Sequence, residues 1–128
     1  MKKLNQLKTF EDACKIEGIE PEKVSVEISV LPETDKKSIT AYAKLIIVAR
    51  AANRLANNGE EWIPNWDSSQ WKYWNWFYMG SSGFRFGVCD GWGSDSHVGS
   101  RLCFISSEVA EYVANQFTDL YNEFMVIE

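Results

Sequence analysis

The chain is poor in the residues that usually advertise a chemistry. His97 is its only histidine, so a histidine pair or a three-histidine metal site cannot form within one chain. The three cysteines, Cys14, Cys89 and Cys103, are odd in number and lack metal-ligand spacing, which points to a reducing compartment. There is no Gly-x-Gly-x-x-Gly or P-loop string, and Asp90 and Asp95 lack the alternating spacing of a calcium loop. The most apolar run, Leu45 to Ala52, is too short to span a bilayer and contains Arg50. Met1 to Phe10 has no apolar stretch of signal-peptide length. Basic charge is also scarce. Thirteen Lys and Arg against eighteen Asp and Glu give a net charge of -5, which disfavours strong non-specific binding to nucleic acid. Cys89 and His97 are the one thiolate–imidazole pair to consider, and they lie at opposite ends of a polar loop. These absences predict no catalytic residue, no metal, no cofactor and no membrane span, and a cytoplasmic protein without enzymatic activity.

Aromatic residues are what the chain has in excess. Eleven of them fall between Trp62 and Trp92, including all six tryptophans. The densest part reads Trp71-Lys72-Tyr73-Trp74-Asn75-Trp76-Phe77-Tyr78. Side chains of a strand alternate between two faces, so this run would be aromatic on both. One face serves the core; the other must be covered or must bind something.

Around this run the pattern predicts an α+β domain over residues 1–128, with 1–34 as an N-terminal extension. Thr9 and Asp12 resemble a capping box for a short helix that ends at Gly18. Val24, Val26, Ile28 and Val30 alternate as in a strand, yet Pro21 and Pro32 bracket a segment that reads equally well as an extended linker. A central helix is expected from Asp35 to Asn57, buried on most sides and carrying Arg50, Asn53, Arg54 and Asn57 as a solvated stripe. Three antiparallel strands should follow: Gln70 to Met79, Phe84 to Cys89 after a Gly80-Ser81-Ser82-Gly83 turn, and Ser100 to Ile105. The loop from Asp90 to Gly99 would hold Trp92 at its tip, tucked back or closing as a lid. A final amphipathic helix, capped by Ser106 or Ser107, carries Val109, Val113, Phe117, Leu120 and Phe124.

Three stretches carry a family resemblance: Ala41 to Ala51; Trp62-Ile63-Pro64-Asn65-Trp66 with Gln70, Lys72-Tyr73 and Phe77; and Gly99-Ser100-Arg101-Leu102-Cys103-Phe104 with Glu108 to Tyr112 and Gln116-Phe117. Together, from Pro32 to Phe124, the chain resembles a group of small uncharacterised proteins encoded by phages, prophages and mobile elements of Bacteroides-type gut bacteria. The connection Asn57 to Glu61 is longer than in that pattern, and the first thirty residues fall outside it. The resemblance implies a phage-type origin and a place in the bacterial host cytoplasm. It implies no catalytic residue.

The expected strands place Trp71, Tyr73, Phe77, Met79, Phe84, Phe86, Val88, Leu102 and Phe104 on a core face. Lys72, Trp74, Trp76, Tyr78, Arg85, Gly87 and Arg101 share the opposite face. Trp and Tyr rings beside cations suit a small anionic aromatic ligand such as a nucleotide, or a single nucleic-acid strand. With Trp92 as a mobile ring, Lys72, Trp74, Trp76, Tyr78, Arg85 and Arg101 form the predicted ligand site. The competing reading covers this face with the central helix, a second copy in a homodimer, or a host protein. Contact with a protein partner is the leading expectation. Sugar binding through Trp rings with Asn65, Asp67, Asn75 and Asp90 stands behind it.

Overall fold

A computed structural model describes residues 2–67, 69–80 and 83–127. The order is α1 (Phe10–Glu17), α2 (Glu33–Ala56), β1 (Lys72–Tyr78), β2 (Arg85–Trp92), α3 (Ser107–Gln116) and α4 (Thr118–Met125), with short 3-10 turns between. This is an α+β arrangement in which the helices pack on one side of a two-stranded antiparallel sheet.

Local signals set the helix starts. Thr9 accepts from the Asp12 amide at 3.1 Å while Asp12 accepts from the Thr9 amide at 3.0 Å, the reciprocal capping box. Gly18 closes α1 in the left-handed region. Residues 24–30 form no strand. Val24, Val26 and Ile28 are half-buried and their neighbours exposed, so the segment lies extended along the surface without a ladder partner among the described residues.

Helix α2 runs through the middle of the fold, with Ala41, Leu45, Val48, Ala49, Ala51 and Ala52 buried. Its polar stripe is not the solvated face expected. Arg50 and Arg54 both donate to the buried Glu17 carboxylate, at 3.2 and 2.7 Å, and so tie α1 to α2. Asn53 is buried: its amide donates to the Cys103 carbonyl at 3.1 Å and accepts from the Ile105 amide at 2.9 Å.

The third expected strand is reduced to one bridge. The segment after Gly99 makes a 3-10 turn, Ser100–Leu102, and then pairs with β1 at a single bridge, Tyr73 with Phe104. Phe104 exchanges both backbone bonds with Tyr73, at 3.0 and 2.7 Å. The Ser100–Leu102 turn on one side and the Ser106 cap of α3 on the other leave only 103–105 extended, and Asn53 takes the groups of Cys103 and Ile105 that point away from β1.

The last helix also departs from the expected single rod. Ser106 caps α3 by accepting from the Val109 amide, but the helix breaks at Phe117 and restarts as α4. The Thr118 hydroxyl donates to the Ala114 carbonyl at 2.7 Å, taking the acceptor its own amide would use in a continuous helix. The break lets α4 lie along α2, where Tyr42 stacks on Phe124 at 4.9 Å and Ser38 donates to the Phe124 carbonyl. Ser81 and Ser82 of the expected hairpin turn lie outside the described residues.

Candidate functional site

The two faces of the hairpin meet different environments. On the inner face Asn75 donates to the Ala110 carbonyl of α3 at 2.9 Å, and Phe77 packs on Phe84 and Tyr121, at 4.9 and 4.5 Å. Across from these, Phe86 and Cys89 come from β2. Gly91 is required here: a Cβ would stand 2.8 Å from the Tyr73 ring and 3.0 Å from the Lys72 carbonyl.

A β-bulge decides what the outer face carries. Trp76 pairs with Val88 but Phe77 with Phe86, so Gly87 is the extra residue. Every residue beyond it changes sides relative to a regular ladder. Val88, expected in the core, is 60% exposed, and Cys89, which alternation from Phe86 would turn outward, turns inward. Phe84 and Phe86 keep their expected place against Phe77. Trp71 and Met79, assigned to the core by alternation, flank the strand and are half-exposed.

The outer face therefore presents Trp76, Tyr78, Val88 and Trp92, all half-exposed or more, with Trp71 tilted against Trp92 at 5.5 Å. Trp92 is not a loop tip. It ends β2 opposite Lys72, because the strand runs three residues past its expected end. The following loop folds back instead, setting His97 against Trp74 at 5.4 Å and Trp76 at 4.7 Å. Trp74 is only 5% exposed as a result, and its Nε1–H has no acceptor among the described residues.

The cations expected to serve an anion are dispersed. Lys72 is fully buried, and its ammonium donates to the carbonyls of Asn65, Gly93, Gln70 (2.6 Å) and Asp67 (3.4 Å) over the Trp66 ring at 4.5 Å. It fastens the 65–70 segment to the end of β2. Arg85 holds its guanidinium over Tyr78, 4.4 Å from the ring centre. Arg101 lines a separate depression beside Arg50, Glu61 and Trp62. Of the predicted set, Trp74, Trp76, Tyr78, Arg85 and Trp92 share the outer face, while Lys72 is sealed beneath it and Arg101 lies apart.

Two cavities flank His97. One, of about 520 Å³, is lined by Trp71, Trp74, Asp90, Gly91, Trp92, Asp95, Ser96 and His97. The other, of about 680 Å³, is mostly apolar and lies between Trp76, Met79, Val98, Leu102, Tyr121 and Phe124. Alternation in β1 grouped Trp74 and Trp76 but put Trp71 and Met79 on the opposite face, and the second cavity was missed, since it needs the break at Phe117 to bring α4 beside β1. Among the sugar-binding residues expected, only Asp90 lines the first cavity; Asn75 lines the second from the inner face.

Cys89 and His97 do not form a pair. Cys89 faces inward while His97 lies on the outer side of the same sheet. Burial pushes the Cys89 and Cys103 thiols up to about 11, away from a thiolate. Among the described residues no cluster of three or more His, Cys, Asp or Glu is placed to hold a metal ion, and no helix is long and apolar enough to cross a membrane. Compared with family models, curated proteins and solved structures, the chain matches none.

Proposed function

We propose that this protein is a non-enzymatic binding module that docks another protein on the outer face of the β1–β2 hairpin. One observation carries the reading: Trp76, Tyr78, Val88 and Trp92 stand about half-exposed or more on one face of the hairpin, with Trp71 and Met79 half-exposed at the ends of β1. Large aromatic side chains left at a surface mark interaction sites, and they are the residues that dominate protein interfaces. The apolar cavity beside Trp76 offers a socket for an apolar side chain of the partner. A nucleotide is the weaker fit, because Lys72 is occupied and Arg101 is elsewhere. A second copy is also the weaker occupant, since a chain of net charge -5 repels itself and Asp90 on this face has no ion-pair partner among the described residues. The family resemblance supports a role in phage or mobile-element biology, with a partner in the bacterial host cytoplasm.

The test compares pull-downs from a bacterial host lysate with wild-type bait and with Val88→Glu and Trp76→Ala baits, each first shown by circular dichroism to be folded. A protein retained by the wild type and lost with both variants is the expected result. Equal capture by all three baits, or capture of nothing, overturns the reading. A wild-type dimer in sedimentation that Val88→Glu dissociates would replace the foreign partner with a second copy.

A further inference from the structure

The cavity beside Trp92 has a chemistry of its own. Its walls contain the rings of Trp71, Trp74 and Trp92 and the carboxylates of Asp90 and Asp95, and no Lys or Arg lines it. Neither carboxylate has an ion-pair partner among the described residues. Among the described residues the Asp90 carboxylate accepts only from the neighbouring Gly91 amide, at 2.8 Å. Its volume of about 520 Å³ lies within the range of small-ligand pockets.

We propose that this cavity receives a cationic side chain, an arginine above all, from the partner protein. This deepens the docking reading and rests on it. Trp is the ring that attracts cations most strongly, and a guanidinium stacks on it while donating to carboxylates. A phosphate or carboxylate ligand would be repelled by Asp90 and Asp95. A neutral sugar would stack on the rings but leave two carboxylates desolvated without a counter-charge. The Trp74 indole N–H is buried and has no acceptor among the described residues. A polyamine ammonium is a compact, strongly hydrated charge, whereas the planar guanidinium of an arginine both stacks on the rings and donates in a fork to carboxylates.

The indole N–H signals of the tryptophans in a proton–nitrogen correlation spectrum report on this site directly. The probes are the blocked tripeptide acetyl-Gly-Arg-Gly-amide, the same peptide with citrulline in place of arginine, and the disaccharide cellobiose. The arginine peptide should shift the Trp71, Trp74 and Trp92 signals saturably, with the citrulline peptide binding at least roughly tenfold more weakly. Asp95→Asn, at an exposed loop position, and Asp90→Asn should each weaken the arginine peptide while the melting temperature stays near wild type. No shift with the arginine peptide, or binding of citrulline peptide or cellobiose as tight as that of arginine, overturns the proposal. Failure here is separable from failure of the docking reading. If a partner lost with Trp76→Ala is kept by Asp90→Asn and Asp95→Asn baits, the face docks a protein but the cavity holds no cation.

Discussion

The inner and outer faces of one hairpin come from the same aromatic stretch of sequence and end in opposite environments. Inward, Tyr73, Asn75 and Phe77 meet α3 and α4, and Phe77 is enclosed by Phe84, Phe86 and Tyr121. Outward, Trp74 is sealed by His97 and Lys72 by four carbonyls, while Trp76, Tyr78, Val88 and Trp92 are left to solvent. Residue type does not separate the two faces. A lysine is fully buried on the outer one and a valine is exposed beside it. The comparison teaches that burial follows which backbone segments are available as cover, and that the uncovered part of an aromatic face is where partners are to be sought.

Truncation across the bulge should break the symmetry most. Phe77→Ala is expected to cost about 3–5 kcal/mol in chemical denaturation, whereas Val88→Ala should stay within about 0.5 kcal/mol. Comparable losses would mean that the outer face is core. Next in size, Lys72→Met should cost roughly 3 kcal/mol, because the carbonyls of Asn65, Gln70 and Gly93 lose their donor. A Lys72 that faced solvent as an anion site would be replaced at almost no cost. Gly91→Ala should follow at about 1–3 kcal/mol, since its Cβ would collide with the Tyr73 ring. Relief of that loss by Tyr73→Ala in the double variant would confirm the collision as its source.

The smallest effect is on pH. Cys89 and Cys103 keep their thiols protonated up to about 11 in the folded state, because burial disfavours the thiolate. An unfolded thiol ionises near ~8.5, so the stabilisation is complete below that pH and is lost as pH rises toward 11. Urea midpoints should therefore fall over this alkaline window, less steeply in Cys89→Ala. A midpoint that falls equally in wild type and variant would place Cys89 outside the apolar inner face. On the acid side, backbone amides of Lys8 and Thr9 hold the Asp12 carboxyl below its usual range. The capping box is accordingly fully stabilising above the usual carboxylate range and is lost as pH falls below that range, through the lowered Asp12 value.

Local signals in the chain were enough for the α1 box at Thr9 and Asp12, the stop at Gly18, most of α2, and the existence of β1 and β2, because each depends on neighbours in sequence. They were also enough to show that the aromatic run has a second face in need of an occupant. Strict alternation failed at Gly87, where one inserted residue reverses the facing of Val88 and Cys89. The amphipathic stripe from Val109 to Phe124 hid the break made by the Thr118 hydroxyl, because hydrophobic periodicity carries no information on a competing hydrogen bond.

Tertiary structure alone decided the rest. Residues 100–105 keep a single bridge to β1, and their outward groups at Cys103 and Ile105 go to Asn53, some fifty positions earlier on helix α2. Whether Lys72 serves a ligand turned on Asn65, Gln70 and Gly93 converging on its ammonium. The joining of Trp71, Trp92, Asp90 and Asp95 around one cavity followed from the length of β2 and the return of its loop. Sequence specifies periodicity, caps and composition because these act over a turn or a few residues. The pairing of distant backbone groups with particular side chains depends on packing geometry, and that exists only once the helices have closed on the hairpin.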